Sequence, residues 1–400
     1  MIVRDKFYID GKWVEPHGKM TFEVINPSSE EACATIVMGD SVDIDRAVAA
    51  AKRALPGFSA TSKSERLDLL RSILDVYRKH YEELAHLMSL EMGSPITFSR
   101  DFQAMRGVVH LQEAIRVLEH FDFEWNQGTT RMRFEPIGVC GLITPWNWPM
   151  NQIVVKLAPA IAAGCAVVLK PSEYSPLSSL LFADIMHKAG VPALVFNLVL
   201  GDGIQTGARL AEHPDVSMVS FTGSTRAGIE VALCAAPTVK RVAQELGGKS
   251  ANILLPDVDL KEAVTKGIAG CFTNSGQSCS IPTRMLVPRE HLDKVAGIAA
   301  EVAAKYVTGP ADDPETQLGP VVNKRQYESI QAHIASGIEE GARLVAGGLG
   351  RAASHEKGYY VKPTVFVDVT PDMRIAREEI FGPVLSIMGY DSVEQAVDIA

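Results

Sequence analysis

Six cysteines stand at positions 33, 140, 165, 234, 271 and 279. Cys279 differs from the rest in its setting, Asn274-Ser-Gly-Gln-Ser-Cys279, just beyond a helical stretch. Glycine and small polar neighbours leave backbone amides free near the sulfur, a setting that can stabilise a thiolate and a developing oxyanion. A free cysteine is more often a small buried hydrophobe, and Cys33, Cys140, Cys165, Cys234 and Cys271 are read that way. Glu245 lies in Gln-Glu-Leu-Gly-Gly-Lys249, where a short strand runs into a glycine pair. A carboxylate at such a strand end can point into a cleft and act as a general base, or it can be a solvated surface group.

Thr144-Pro-Trp-Asn-Trp-Pro149 holds two of the chain's four tryptophans. The prolines and rings make a stiff turn, and the Asn147 amide within it could donate to an oxyanion; the alternative is an aromatic-stapled loop. Lys170-Pro-Ser-Glu173 follows an apolar run and occupies the usual ligand position of an open α/β sheet, or a solvated loop. Two glycine-rich turns also follow strands. Gly201-Asp-Gly203-Ile-Gln-Thr-Gly207 is one residue too long for GxGxxG. Phe221-Thr-Gly223-Ser-Thr-Arg-Ala-Gly228 opens a helix whose N-terminus could receive a pyrophosphate. No clear ribose acid follows the first turn, so the standard dinucleotide fingerprint is not met.

The elements that must position these residues follow from the pattern. Phe7 to Val14 alternates around Asp10-Gly11 and predicts a hairpin. Residues 42 to 119 look helical, with a capping box at Ser62 and Glu65 ahead of the stripe Leu67, Leu70, Ile73 and Leu74. Residues 121 to 134 alternate on either side of Asn126-Gln127-Gly128 and predict a projecting two-stranded ribbon. From 138, apolar runs at Val139–Ile143, Ala166–Leu169, Val195–Val199, Val216–Phe221 and Val239–Val242 alternate with helical stretches. A second alternation begins at 251, with runs at Asn252–Leu255, Thr283–Val287, Arg343–Val345 and Thr364–Val367. This rhythm implies α/β architecture: two doubly wound parallel-sheet α/β domains with a boundary near Gly247-Gly248.

Composition narrows the function classes. The chain has 400 residues, 46% hydrophobic and 22% charged, which excludes disorder as the main state. A net charge of −9 argues against nucleic acid as the main partner. The low cysteine count without CxxC spacing argues against a disulfide framework or a metal site and fits reduced thiols in the cytoplasm. The longest nearly uncharged run, 157–169, is too short to span a membrane.

Taken in order, Pro145-Trp-Asn-Trp-Pro149, Lys170-Pro-Ser-Glu173, Phe221-Thr-Gly-Ser224, Glu245-Leu-Gly-Gly-Lys249, Gly276-Gln-Ser-Cys279 and Glu378-Glu-Ile-Phe-Gly-Pro-Val384 resemble the aldehyde dehydrogenase superfamily, from about Phe7 to the last residue. The resemblance implies NAD as cofactor and a small-molecule aldehyde as substrate. It implies Cys279 as nucleophile, Glu245 as general base and Asn147 as oxyanion donor. For the cofactor it implies Thr144, Trp146, Lys170, Glu173, Gly223, Ser224, Gly228, Leu246, Glu379 and Phe381. Met150, Gln103, Trp148, Ser278 and Ser280 become candidate pocket walls. Residues 1–120 and 138–246 become the NAD-binding domain, 121–137 an oligomerisation ribbon and 247–400 the catalytic domain, assembled as a homodimer or homotetramer. A CoA-acylating enzyme is the alternative, as is an inactive relative that only binds; Glu245 argues against the first, and Cys279, Glu245 and Asn147 together against the second. The chain stops inside the apolar stripe Val393, Ala396, Val397 and Ala400 with no stop signal, so the expectation is that the natural product is longer, or that this form is defective in assembly and activity.

Overall fold

The computed structural model describes residues 1–352 and 355–400. The chain divides into two units: residues 1–25, 32–91 and 99–246 form the first, and residues 26–31, 92–98 and 247–400 the second. The two short segments of the second unit lie far from its main body in sequence, and no local pattern foretells them.

The first unit is built on parallel strands β1 (Val139–Ile143), β2 (Ala166–Lys170), β3 (Phe196–Leu198), β4 (Met218–Thr222) and β5 (Arg241–Glu245). They stand in the order β5-β4-β1-β2-β3, and the hairpin Phe7–Ile9 and Lys12–Val14 extends the β3 edge antiparallel. β1 and β2 are buried along their whole length, as befits strands covered by helices on both faces. Asp10 and Gly11 both have positive φ, 58° and 71°, which is what a two-residue hairpin turn requires. The chain runs outward from β1 through β2 to β3, then returns to place β4 on the other side of β1. That reversal opens a crevice at the carboxyl ends of β1 and β4, where open α/β sheets hold their ligands.

Helix α1 (Lys63–Lys79) starts at the Ser62–Glu65 capping box and buries Leu67, Leu70, Ile73 and Leu74. Helix α2 (Pro149–Ala163) takes its start from a proline in the first turn and ends at Gly164 in the left-handed conformation. The ribbon pairs Glu124–Gln127 with Thr130–Arg133. Of the expected turn residues Asn126, Gln127 and Gly128 only Gly128 turns, because Asn126 and Gln127 remain in register with Arg131 and Thr130.

The second unit holds strands β6 (Ala251–Ile253), β7 (Arg284–Pro288), β8 (Arg343–Ala346), β9 (Thr364–Val367) and β10 (Val384–Tyr390), ordered β6-β7-β10-β9-β8. All pair in parallel except β8 with β9. The central strand, β10, is absent from the sequence-based expectation. Among the described residues no helix is long and apolar enough to cross a membrane.

Candidate active site

In the first unit the singled-out residues gather at the carboxyl ends of four neighbouring strands. The β1 end carries Thr144, Trp146 and Asn147. The Thr144 amide donates to the Lys170 carbonyl at 3.1 Å, tying this loop to the β2 end. Asn147 is 3% exposed, and its backbone carbonyl accepts from Gln103 Nε2 at 3.1 Å. Trp148 then ends the loop, and its carbonyl accepts the first α2 amide bond, from Gln152.

At the β2 end, Lys170 Nζ lies 3.5 Å from Glu173 Oε2. Lys170 is buried; burial pushes its pKa down, and the Glu173 charge opposes that. At the β4 end, the Gly223 amide donates to the Glu245 carbonyl at 3.1 Å. A side chain at Gly223 would meet the Phe221 ring at 2.5 Å, so only glycine fits this tight passage. Ser224 caps helix α3 (Thr225–Ala235), its hydroxyl accepting from Ala227 N at 3.3 Å. Gly228 lies one turn into the helix. Its amide is spent inside the helix on Ser224 O, and the residue packs against Leu246. The first-turn amides of Thr225 and Arg226 are the ones a helix N-terminus offers to an anion.

Two hydroxyls flank the crevice itself. Thr144 Oγ1 and Thr222 Oγ1 are buried and lack a hydrogen-bond partner among the described residues. Such groups are costly unless satisfied, so the crevice is built for a polar guest. Thr222 escaped the sequence reading, since a lone Thr at a strand end carries no signal. Lys156 escaped it too. It projects from the apolar helix α2, donates to Ser220 Oγ at 3.1 Å and feels the Glu245 charge, while burial lowers its pKa. A single cation inside the run Gln152–Ala163 was the available clue.

In the second unit, Cys279 follows a braced loop. Asn274, Ser275 and Gly276 have φ of 54°, 55° and 76°, three left-handed residues in a row. The strain at Ser275 is offset by bonds around it. Ser275 Oγ donates to Gly319 O at 2.9 Å, and Gln277 Oε1 accepts from Val322 N at 2.9 Å. A side chain at Gly276 would collide with the Gly382 backbone at 2.0 Å. Gly248 links Cys279 to Glu379: a Cβ there would lie 3.9 Å from the Cys279 carbonyl, and its amide donates to Glu379 Oε1 at 3.4 Å. Burial raises the Glu379 pKa, and the Gly248 amide and the Lys249 charge oppose that. Lys249 Nζ is itself buried without a hydrogen-bond partner among the described residues, and burial brings its pKa down to about 8. Phe381 sits at φ 58°, its carbonyl held by Gln326 Nε2 at 3.0 Å. Among the described residues no cluster of three His, Cys, Asp or Glu side chains could hold a metal ion.

The family model for aldehyde dehydrogenases matches residues 13–400. The chain belongs to the aldehyde dehydrogenase family. It is 51% identical to 3-succinoylsemialdehyde-pyridine dehydrogenase of a Pseudomonas species, over 99% of this chain and 83% of that protein. Among solved aldehyde dehydrogenases, a cysteine-to-alanine mutant of aldehyde dehydrogenase C from Pseudomonas syringae, complexed with NAD+ and octanal, superposes with a TM-score of 0.98. It is 52% identical and aligns over 99% of this chain and 81% of that one. The Mycobacterium tuberculosis aldehyde dehydrogenase complexed with NAD+ gives a TM-score of 0.96 at 37% identity, over 100% and 83% of the two chains.

Proposed function

We propose that this aldehyde dehydrogenase oxidises its substrate to a carboxylate with NAD+ as hydride acceptor and water as acyl acceptor. The observation that carries the reading is the Cys279 loop, a cysteine held at the end of a left-handed turn that its neighbours brace on three sides.

The residues fit a dinucleotide. Lys170 and Glu173 would hold the adenosine ribose, with Trp146, Gly223, Ser224 and the first turn of α3 beside the pyrophosphate. The Thr144 and Thr222 hydroxyls gain partners in the same crevice, Gly228 and Leu246 shape its wall, and Glu379 and Phe381 would hold the nicotinamide riboside. Bound NAD+ supplies an acceptor for the hydride.

An aldehyde hydrogen leaves as hydride only once its carbon is tetrahedral. Cys279 Sγ attacks the carbonyl carbon, forming the C–S bond of a thiohemiacetal. The Asn147 amide and the Cys279 backbone amide stabilise its oxyanion. Loss of hydride leaves a thioester on Cys279. Glu245 takes a proton from water, the water oxygen attacks the thioester carbon, and Cys279 departs as thiolate.

The relatives' names point to different aldehydes, an aromatic semialdehyde and a long aliphatic one, so the proposal extends to the aldehyde class. The apolar side of the ribbon, where Phe121, Trp125 and Phe134 are exposed yet stack on one another, is assigned to contact between copies of the chain. The deciding experiment is NADH formation from 3-succinoylsemialdehyde-pyridine, octanal and short aldehydes, with and without CoA. Carboxylate release without CoA supports the reading. Turnover that requires CoA replaces it with the acylating one.

A further inference from the structure

Glu379 is the carboxylate proposed for the nicotinamide ribose, so what restrains it bears on the chemistry. Its neighbours in the chain are pinned. The Glu378 carboxylate accepts from Arg374 Nε at 2.8 Å and lies 3.2 Å from His333 Nε2. The Ile380 and Phe381 carbonyls accept from Gln326 Nε2 at 3.1 and 3.0 Å. The main chain on either side is therefore fixed. The Glu379 side chain is exposed, and a glutamate free on the surface keeps several rotatable bonds in play.

A glycine pair elsewhere in the second unit supplies the restraint. The Gly248 amide donates to Glu379 Oε1 at 3.4 Å. A Cβ at Gly247 would lie 2.0 Å from Oε2, 2.7 Å from Cδ and 3.0 Å from Oε1 of Glu379, and these are the three nearest atoms it would meet. The carboxyl group thus rests on the Gly247 main chain. Neither glycine has a left-handed φ, so the backbone does not demand glycine at either place. At Gly248 a Cβ would have room, with the Cys279 carbonyl nearest at 3.9 Å. The obstacle at 247 is the far end of a flexible side chain. A methyl group added there would cost little stability and would move the carboxylate instead.

We propose that Gly247 and Gly248 are positioning residues, a seat that fixes the Glu379 carboxylate to receive the hydroxyls of the nicotinamide ribose. Gly247 acts by having no side chain and Gly248 by its amide. An ionised carboxylate has about four lone-pair sites, so with one on the Gly248 amide others remain for a diol. The seat rests on the assignment of Glu379 to that ribose. Its effect is selective. The nicotinamide half of the cofactor depends on it, whereas the adenosine half, assigned to Lys170 and Glu173, does not.

The test uses the whole chain and the variants Gly247→Ala, Glu379→Ala and the two combined. Calorimetry gives Kd for NAD+ and for ADP, which lacks the nicotinamide riboside, and a thermal scan gives Tm. Glu379→Ala should weaken NAD+ binding roughly tenfold, and Gly247→Ala by a similar factor. The combined variant should match Glu379→Ala alone, because the group that the methyl displaces is gone. ADP affinity should stay within about twofold throughout, and KM for NAD+ should rise with Kd while KM for the aldehyde holds. Unchanged NAD+ affinity in Glu379→Ala removes Glu379 from the ribose and the seat with it. Three other results overturn the seat and leave the Glu379 assignment standing: weakened binding in Glu379→Ala but not in Gly247→Ala, additive losses in the combined variant, or a fall in Tm or ADP affinity from Gly247→Ala that persists when Glu379 is also replaced.

Discussion

Gln103 donates through Nε2 to the backbone carbonyl of Asn147 at 3.1 Å, from a side chain with no exposed surface. The bond ties the loop carrying the proposed oxyanion donor to the π-helical turn Ser99–Ala104. Gln103→Leu removes it at similar volume, a loss of ~0.5–1.5 kcal/mol. Asn147→Ala should lower kcat by ~10²–10³, whereas Gln103→Leu should lower it roughly tenfold. Steady-state kinetics on both variants checks the order; a larger loss from Gln103→Leu would remove Asn147 from its role.

Cys279→Ala should abolish oxidation while NAD+ still binds, as read by fluorescence titration. Iodoacetamide should label Cys279 ahead of the other thiols, and substrate should protect it. Cys140, Cys165 and Cys271 are buried, and burial raises the pKa of Cys33 and Cys234. Uniform labelling would sink the nucleophile assignment.

Glu245→Gln should permit thioester formation and slow its hydrolysis by ~10²–10⁴. Stopped-flow traces should then show a burst of NADH followed by a stalled steady state. Normal turnover would mean that another group is the base.

The 3.5 Å Lys170–Glu173 pair should set the choice between dinucleotides. Glu173 can accept both hydroxyls of a ribose and repels a 2′-phosphate, while Lys170 softens the repulsion. The enzyme should prefer NAD+ to NADP+, and Glu173→Gln should narrow the ratio of kcat/KM values. Equal ratios in the parent would show that Glu173 faces elsewhere.

Glu91 gives a pH prediction for stability. It is buried, and accepts from the Leu177 amide at 2.6 Å and the Ser178 amide at 3.2 Å at the start of helix Pro176–Lys188. Burial nonetheless raises its pKa from 4.5 to about 8, with those bonds opposing. The folded chain therefore holds this proton more tightly than the unfolded chain. Its contribution is complete below the unfolded value and is lost as pH rises through about 8. Tm should fall across that window, and Glu91→Gln, which cannot ionise, should flatten the fall.

Much of this molecule was legible because parallel strands buried on both faces are short apolar runs. Val139–Ile143 and Thr364–Val367 have the bounds that their sequence suggests. β10 was not legible: Val384–Tyr390 includes Ser386 and Gly389 and follows directly on a motif that drew the eye to its chemistry. The partners of the site were hidden for a different reason. Gln103 meets Asn147 across 44 residues, and Lys156 meets Ser220 across 64. Such pairings depend on the completed sheet and leave no local trace.

The chain passes between its two units five times, and this limits how the molecule can be divided. A gene fragment beginning at Gly247 would keep Tyr359, Ala311 and Arg351 but lose what they bind: the Pro27 carbonyl, the Ser28 hydroxyl and the Glu30 carboxylate. It would also lose the segment where the Ile96 amide donates to Ala311. The glycine pair looks like a seam in the sequence, yet neither side of it is a free-standing piece. Swapping the portion after Leu246 between relatives therefore means carrying residues 26–31 and 92–98 along with it.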